Sequence, residues 1–208
     1  RYIFNTVLIS VGGTFGNLVL SSICAYALAK IDFPGAKGTF KIIRMSLMFS
    51  ATVTSVVNFI SLSILGWIDS YLAIIVPAWC STLGLYLMKQ FMESNVSTAV
   101  LESARLDGAS ELRTFWSIAM PMVKPAWLTL IIYSFQGLWN QGSSSFIYSE
   151  QLKTLNYAIS QITGGTGSIA RTGATAAGTV IMMIVPIVVF VVSQSNIIET
   201  MGSSGMKD

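Results

Sequence analysis

Five long stretches of this sequence carry no Asp, Glu, Lys or Arg: Tyr2 to Ala29, Met45 to Ile68, Ser70 to Met88, Pro125 to Ser149 and Thr172 to Ile198. Each reaches or exceeds the roughly 18–20 residues that a helix needs to cross a bilayer core. A large soluble protein with buried core helices would also need amphipathic surface helices, and none of the five stretches has a charged face. Charged residues make up 10% of the 208 positions, against about 25% in soluble domains. The expected fold class is an all-α, polytopic membrane helical bundle with five membrane helices in this chain.

The distribution of charge predicts a topology. If the helices alternate in direction, Lys30, Lys37, Lys41, Arg44, Lys89, Arg105, Arg113, Lys124 and Lys207 lie on one side, and Arg1, Lys153 and Arg171 on the other. Lys/Arg excess marks the cytoplasmic face, so both basic loops and the C-terminus are expected inside a cell (cytoplasmic) membrane. The chain then starts outside, with Arg1 in place of Met. That combination predicts that a preceding membrane helix is missing, so that the intact subunit has six.

Cys24 and Cys80 both fall in apolar stretches, where small buried hydrophobes are expected in place of a disulfide. There is no His, which removes the commonest general base and metal ligand. No Gly-x-x-x-x-Gly-Lys-Ser/Thr occurs to cradle phosphates. Gly164-Gly165-Thr166-Gly167-Ser168 lacks the lysine and reads as an external loop. No catalytic residue and no metal site is predicted.

The connections differ in kind. Pro34-Gly35 marks an internal turn after the first helix. A tight external turn surrounds Gly66 to Asp69, where Trp67 and Tyr71 suit a headgroup-level aromatic belt. Residues 141–171 form a longer external loop rich in Ser and Gly, too polar for a further span. Gly173, Ala174, Ala177 and Gly178 at four-residue spacing suit close packing of the last helix.

Charge and helical pattern return together in residues 93–125. Ser97 is a plausible N-cap for a short helix running to about Asp107. Gly108 supplies the left-handed position that ends it. Ser110 can cap a second helix through Phe115 and Ile118. Pro121 and Pro125 each remove a backbone donor and loosen entry into the fourth membrane helix. A surface helix, a glycine turn and a bent re-entry make a knob suited to a groove on a soluble partner. Val100 and Ala104 offer it an apolar face, with Glu102 off that stripe.

The string Glu102-Ser103-Ala104-x-x-Asp107-Gly108-Ala109, followed by Phe115, Ile118, Pro121 and Pro125, resembles the EAA loop of ABC importer permeases. The tail around Gln194, Ile197, Glu199, Gly202 and Lys207 is similar to that of carbohydrate-uptake permeases of the maltose-transporter type. The resemblance implies that residues 1–208 are a transmembrane permease domain, part of an ATP-driven importer of a sugar or oligosaccharide. It implies a coupling helix docked on cytoplasmic ATPase subunits, which would hold ATP-Mg, with no cofactor on this chain. It also implies a second permease subunit and an extracytoplasmic solute-binding protein, which the 141–171 loop would meet. Nucleic acid has no place in it. Ser103 replaces the first Ala of the motif, and Ser97 stands where the family commonly has Pro.

Within that resemblance each residue also has a plainer role. Glu102 alone is compatible with a solvated helix charge, and its place in the motif favours a partner contact. Asp107 and Gly108 serve the turn as readily as docking. Phe115 and Trp116 read as packing or interface anchors.

A sugar path would use uncharged hydrogen-bonding groups beside aromatic faces. Asn58, Tyr133, Gln136, Trp139 and Asn140 fit that chemistry, and interhelical hydrogen bonding fits them equally. Other readings are a permease for another small polar solute, and a secondary carrier or channel. The carrier would usually place ionisable residues near helix centres, where this sequence has none. An intramembrane enzyme lacks its His, Cys pair or Ser–Lys arrangement.

Overall fold

The computed structural model describes residues 1–48, 51–142, 146–164 and 171–204. Among these the chain is helical throughout, with no strand. The elements are α1 (Tyr2–Lys30), α2 (Ala36–Ser46), α3 (Ala51–Ile64), α4 (Leu72–Trp79), α5 (Thr82–Asn95), α6 (Thr98–Leu106), α7 (Glu111–Thr114), a π-helical turn (Phe115–Ala119), α8 (Met120–Met122), α9 (Lys124–Trp139), a 3₁₀ turn (Glu150–Leu152), α10 (Leu155–Gly164) and α11 (Thr172–Ser204).

The central helix α1 packs against α4, α5 and α9. Its surface is inverted relative to a soluble helix. Asn5, Thr6, Ser10, Thr14, Asn17, Ser21 and Ser22 are buried, whereas Ile3, Phe4, Val11, Phe15 and Leu20 are exposed. That inversion is what a lipid solvent demands: apolar side chains face the acyl chains, and small or polar ones mediate helix contact. Gly16 shows how close the approach is, since a Cβ there would lie 2.0 Å from Trp79 Nε1 of α4. The Trp79 indole donates to the Gly12 carbonyl at 3.0 Å.

Three helical runs are long and apolar enough to cross a membrane: Tyr2–Lys30, Leu72–Asn95 and Thr172–Gln194. A fourth arises if Glu111–Met122 and Lys124–Trp139, bent by 82°, count as one span. The expected second span is not a single long helix. The 14 residues of α3 rise about 21 Å, at 1.5 Å per residue. The uncharged segment from Met45 is divided between the last residues of α2 and α3.

Several expectations shift for physical reasons. The third stretch does not stop at Met88, because Lys89 is buried within α5: it pairs with Glu93 at 2.5 Å and lies 4.1 Å over the Phe40 ring. Cys24 and Cys80 are free thiols, as expected, but both are exposed. Cys24 belongs to the outward face of α1, and Cys80 sits at the α4–α5 break. Tyr71 donates to Asn5 Oδ1 at 3.0 Å and so is tied inward to α1. Of the small residues on α11, Gly178 packs against Ile159, whereas Gly173 faces open space. The Gly-rich segment 165–168 and the tail residue Lys207 lie outside the described residues.

Both glycine turns form as read. Gly35 (φ 95°) starts α2, and Gly66 (φ 67°) turns the chain after α3. Asp69 then accepts from the Tyr148 and Ser149 amides at 2.9 and 2.8 Å and from the Ser149 hydroxyl. The Asn5 amide donates to the carbonyls of Gln151 and Lys153 at 2.8 and 2.9 Å. These bonds pin the 146–155 segment over one end of α1.

Candidate functional site

At the other end of α1 the chain leaves the bundle and returns. Ser97 stands at the N-cap of α6 with extended backbone, but its hydroxyl makes no capping bond. Asp107 is the C-cap, and Gly108 follows at φ 80°. The Ala109 amide donates to the Ala104 carbonyl and the Gly108 amide to that of Arg105, both at 3.0 Å. This is a Schellman closure, which needs the left-handed residue that glycine provides most easily. Ser110 caps α7 by accepting from the Arg113 amide at 3.4 Å.

The faces of α6 differ from the expected stripe. Leu101 turns inward and is buried with Tyr26, Met88, Phe115 and Val123, and Ala104 is buried as well. Val100 is exposed, so it and Ala104 do not share an outward face. Glu102, Ser103, Asp107 and Gly108 are exposed and Ala109 is half-buried. Leu106 is 89% exposed and Leu112 69%.

Phe115 is core, with its ring 5.3 Å from Tyr26, and Ile118 is packed against the same cluster. Pro121 is exposed and Pro125 half-buried. The 82° bend sits at Val123, where Pro125 has no N–H to continue the ladder. The Trp127 indole satisfies the Met120 carbonyl at 3.2 Å.

Glu111 ties this region together. Its Oε1 accepts from Arg105 Nε at 2.7 Å and its Oε2 from the second guanidinium nitrogen at 3.3 Å. The same Oε2 accepts from the Tyr26 hydroxyl at 3.0 Å. The hydrogen bond to Glu111 raises the Arg105 guanidinium further above its ordinary range. Both partners are partly exposed, at 39% and 49%, so the ion pair contributes only about 0–1 kcal/mol.

A cleft of about 490 Å³ opens between α1, the α4–α5 break and α9. Tyr133, Gln136 and Asn140 line it together with Asn17, Ser81 and Ser134. Trp139 is elsewhere: it is buried, stacked on Phe135 at 5.5 Å, and donates to the Met182 carbonyl at 3.0 Å. Asn58 lines a separate groove with Trp67, Pro77 and Cys80. Sequence reading passed over Asn17 and Leu106. A signal for Asn17 exists in the helical spacing of Ser10, Thr14, Asn17 and Ser21; Leu106 had none beyond its place before Asp107. Among the described residues no cluster of His, Cys, Asp or Glu could hold a metal ion.

Residues 3–199 match the family described as binding-protein-dependent transport system inner membrane component. The chain belongs to that family. An EAA motif is typical of that family. One relative is the polygalacturonan/rhamnogalacturonan transport system permease protein YtcP of Bacillus subtilis, 30% identical over 71% of this chain and 54% of its own length. The diacetylchitobiose uptake system permease protein NgcG of Streptomyces coelicolor is 29% identical over 68% of this chain and 47% of its own. The sn-glycerol-3-phosphate transport system permease protein UgpE of Yersinia enterocolitica is 30% identical over 67% and 49%. The chain thus spans about half the length of these curated relatives, which are transport permeases and not enzymes. The fold matches a chain of a bacterial ABC transporter involved in the import of alginate, with a TM-score of 0.79 and 24% identity, covering 94% of this chain and 73% of that one. The chain is therefore a multi-pass membrane protein of ABC permease fold.

Proposed function

We propose that residues 1–208 act as a transmembrane permease domain of an ATP-driven importer whose cargo is a sugar or oligosaccharide. The observation that carries this is the projecting α6–Gly108–α7 knob, with Glu102 and Leu106 outward, on a bundle sheathed in apolar side chains. In this reading the knob is the coupling helix and seats in a cleft on a cytoplasmic ATPase subunit. ATP-Mg belongs to that ATPase, and this chain binds no cofactor and performs no chemistry. A second permease subunit completes the path, and a solute-binding protein delivers cargo at the 146–155 end.

The chain crosses the membrane five times in this account: α1, the α2–α3 segment, α4–α5, the bent run ending in α9, and α11. The basic loops and the C-terminus face the cytoplasm, because Lys and Arg concentrate there. The uncharged cleft formed by Asn17, Ser81, Tyr133, Ser134, Gln136 and Asn140 suits hydroxyl-rich solutes, and the names of the polygalacturonan/rhamnogalacturonan and diacetylchitobiose permeases support a carbohydrate.

The test is Glu102→Lys in the assembled complex. A desolvated charge pair at the docking cleft would make truncation or reversal cost about 2–5 kcal/mol of interface energy; a solvated one would cost about 0–1 kcal/mol. Glu102→Lys is expected to abolish transport and weaken ATPase retention, while membrane insertion and the permease partner remain. Restoration by an acidic substitution in the ATPase cleft would identify the contact. Normal transport by the variant would sink the coupling role.

A further inference from the structure

We propose that Arg105, Glu111 and Tyr26 form a strut that passes displacement of α6 to α1, making Tyr26 a positioning residue for transport. The inference rests on the docking role of α6 given above. Glu111 is the shared member. Its carboxylate holds Arg105, at the end of α6, through both oxygens, and Oε2 also receives the Tyr26 hydroxyl from the last turns of α1.

The geometry favours transmission over simple bracing. Nothing lies within 4 Å of a Cβ built on Gly108, so the turn has room on that side. Tyr26 is 4% exposed and Phe115 3%, and their rings meet at 5.3 Å. A load reaching Tyr26 therefore enters a packed cluster, not solvent. From there α1 runs along the bundle, past the Asn17 cleft, to the 146–155 segment at the opposite end. Packed side chains of this kind rearrange between discrete states, and small displacements at one end can bias them.

The experiment compares the wild-type complex, Tyr26→Phe, and the charge-swapped pair Arg105→Glu with Glu111→Arg. Tyr26→Phe removes one O–H and keeps the ring. The swap restores an ion pair between α6 and α7 but puts a guanidinium, which cannot accept, where the Glu111 carboxylate meets the Tyr26 hydroxyl. Cargo moved per ATP hydrolysed is measured in proteoliposomes, and hydrogen exchange of residues 98–107 is measured on the intact subunit in nanodiscs. Losing one hydrogen bond is expected to raise exchange about three- to tenfold and to lower cargo per ATP by a similar factor. Basal ATPase activity should be unchanged in Tyr26→Phe, which leaves the docking helix intact. The swap, which reverses a charge on the docking helix itself, is read by exchange alone, and that exchange should stay as raised as in Tyr26→Phe.

A merely structural ion pair predicts the opposite, with exchange in the swap at the wild-type level and Tyr26→Phe silent. Either result overturns the strut. The exchange measurement does not depend on cargo or partner, so a wild-type complex that moves no carbohydrate would count against the function proposed above. Unchanged exchange in Tyr26→Phe would count against the strut alone.

Discussion

Asn17 of α1 donates to the Ser134 hydroxyl of α9 at 3.0 Å, and both residues line the same uncharged cleft. The Asn17 side-chain oxygen is also used, accepting from Ser21 at 2.8 Å. Interhelical hydrogen bonds in membranes contribute about 0.6 kcal/mol on average and about 1.7 at most. Asn17→Ala should therefore lower stability only modestly, by about 0.5–2 kcal/mol in a detergent melt. Its effect on cargo KM should be larger than that of Trp139→Phe, whose ring faces the α11 contact. An unchanged KM for Asn17→Ala would remove this cleft from the path.

Gly16 and Gly12 face α4 at different distances, which makes a paired test. A Cβ on Gly16 would meet the Trp79 indole at 2.0–2.3 Å, whereas one on Gly12 would meet Ile75 at an ordinary 3.6 Å. Gly16→Ala must push the ring aside and break its bond to the Gly12 carbonyl, at a cost of about 1–3 kcal/mol. Gly12→Ala should be nearly neutral. Thermal unfolding of the two variants in detergent checks the contrast.

Asp69 predicts a pH dependence confined to acid. The Ser149 hydroxyl and amide, then the Tyr148 amide, hold its carboxyl below the usual value, with the nearby Lys153 charge acting in the same direction. A depressed folded value means that the stabilisation is complete above the ordinary carboxylate value of about 3.9 and is lost as pH falls through the lower folded value. Protease protection of residues 146–155 should therefore be level through neutral and mildly acidic pH and drop only in stronger acid. Asp69→Asn keeps a residue tolerant of the positive φ of 60° and should lower protection at neutral pH while flattening the acid step.

Leu106 separates docking from folding. It is 89% exposed, so Leu106→Asp should change the stability of the isolated subunit by no more than about 0.5 kcal/mol. Retention of the ATPase during purification should nonetheless fall sharply, because an apolar anchor becomes a charge inside the interface. Retention at the wild-type level would show that the tip of α6 stays in solvent.

The α6–α7 knob was legible because its determinants are local. Gly108 ends a helix wherever it occurs at a left-handed position, Ser110 caps the helix that follows it, and Pro125 interrupts the ladder at any depth in the fold. The membrane setting was equally legible, since uncharged runs of this length answer to bilayer thickness and not to partners. What sequence could not assign was direction. Lys89 reads as the start of a loop until Glu93 and Phe40 are found around it, and Ala104 reads as sharing an outward face with Val100 until the fold buries the one and exposes the other. Trp139, Tyr133 and Gln136 share one short segment, yet only packing against α11 divides the indole from the cleft. Sequence alone determined the solvent, the helical class and the turn that makes the knob, because these follow from hydropathy and backbone conformation over a few residues. Tertiary structure decided which side chains meet across helices, as Arg105, Glu111 and Tyr26 do, because contacts between positions 85 residues apart depend on how the helices pack.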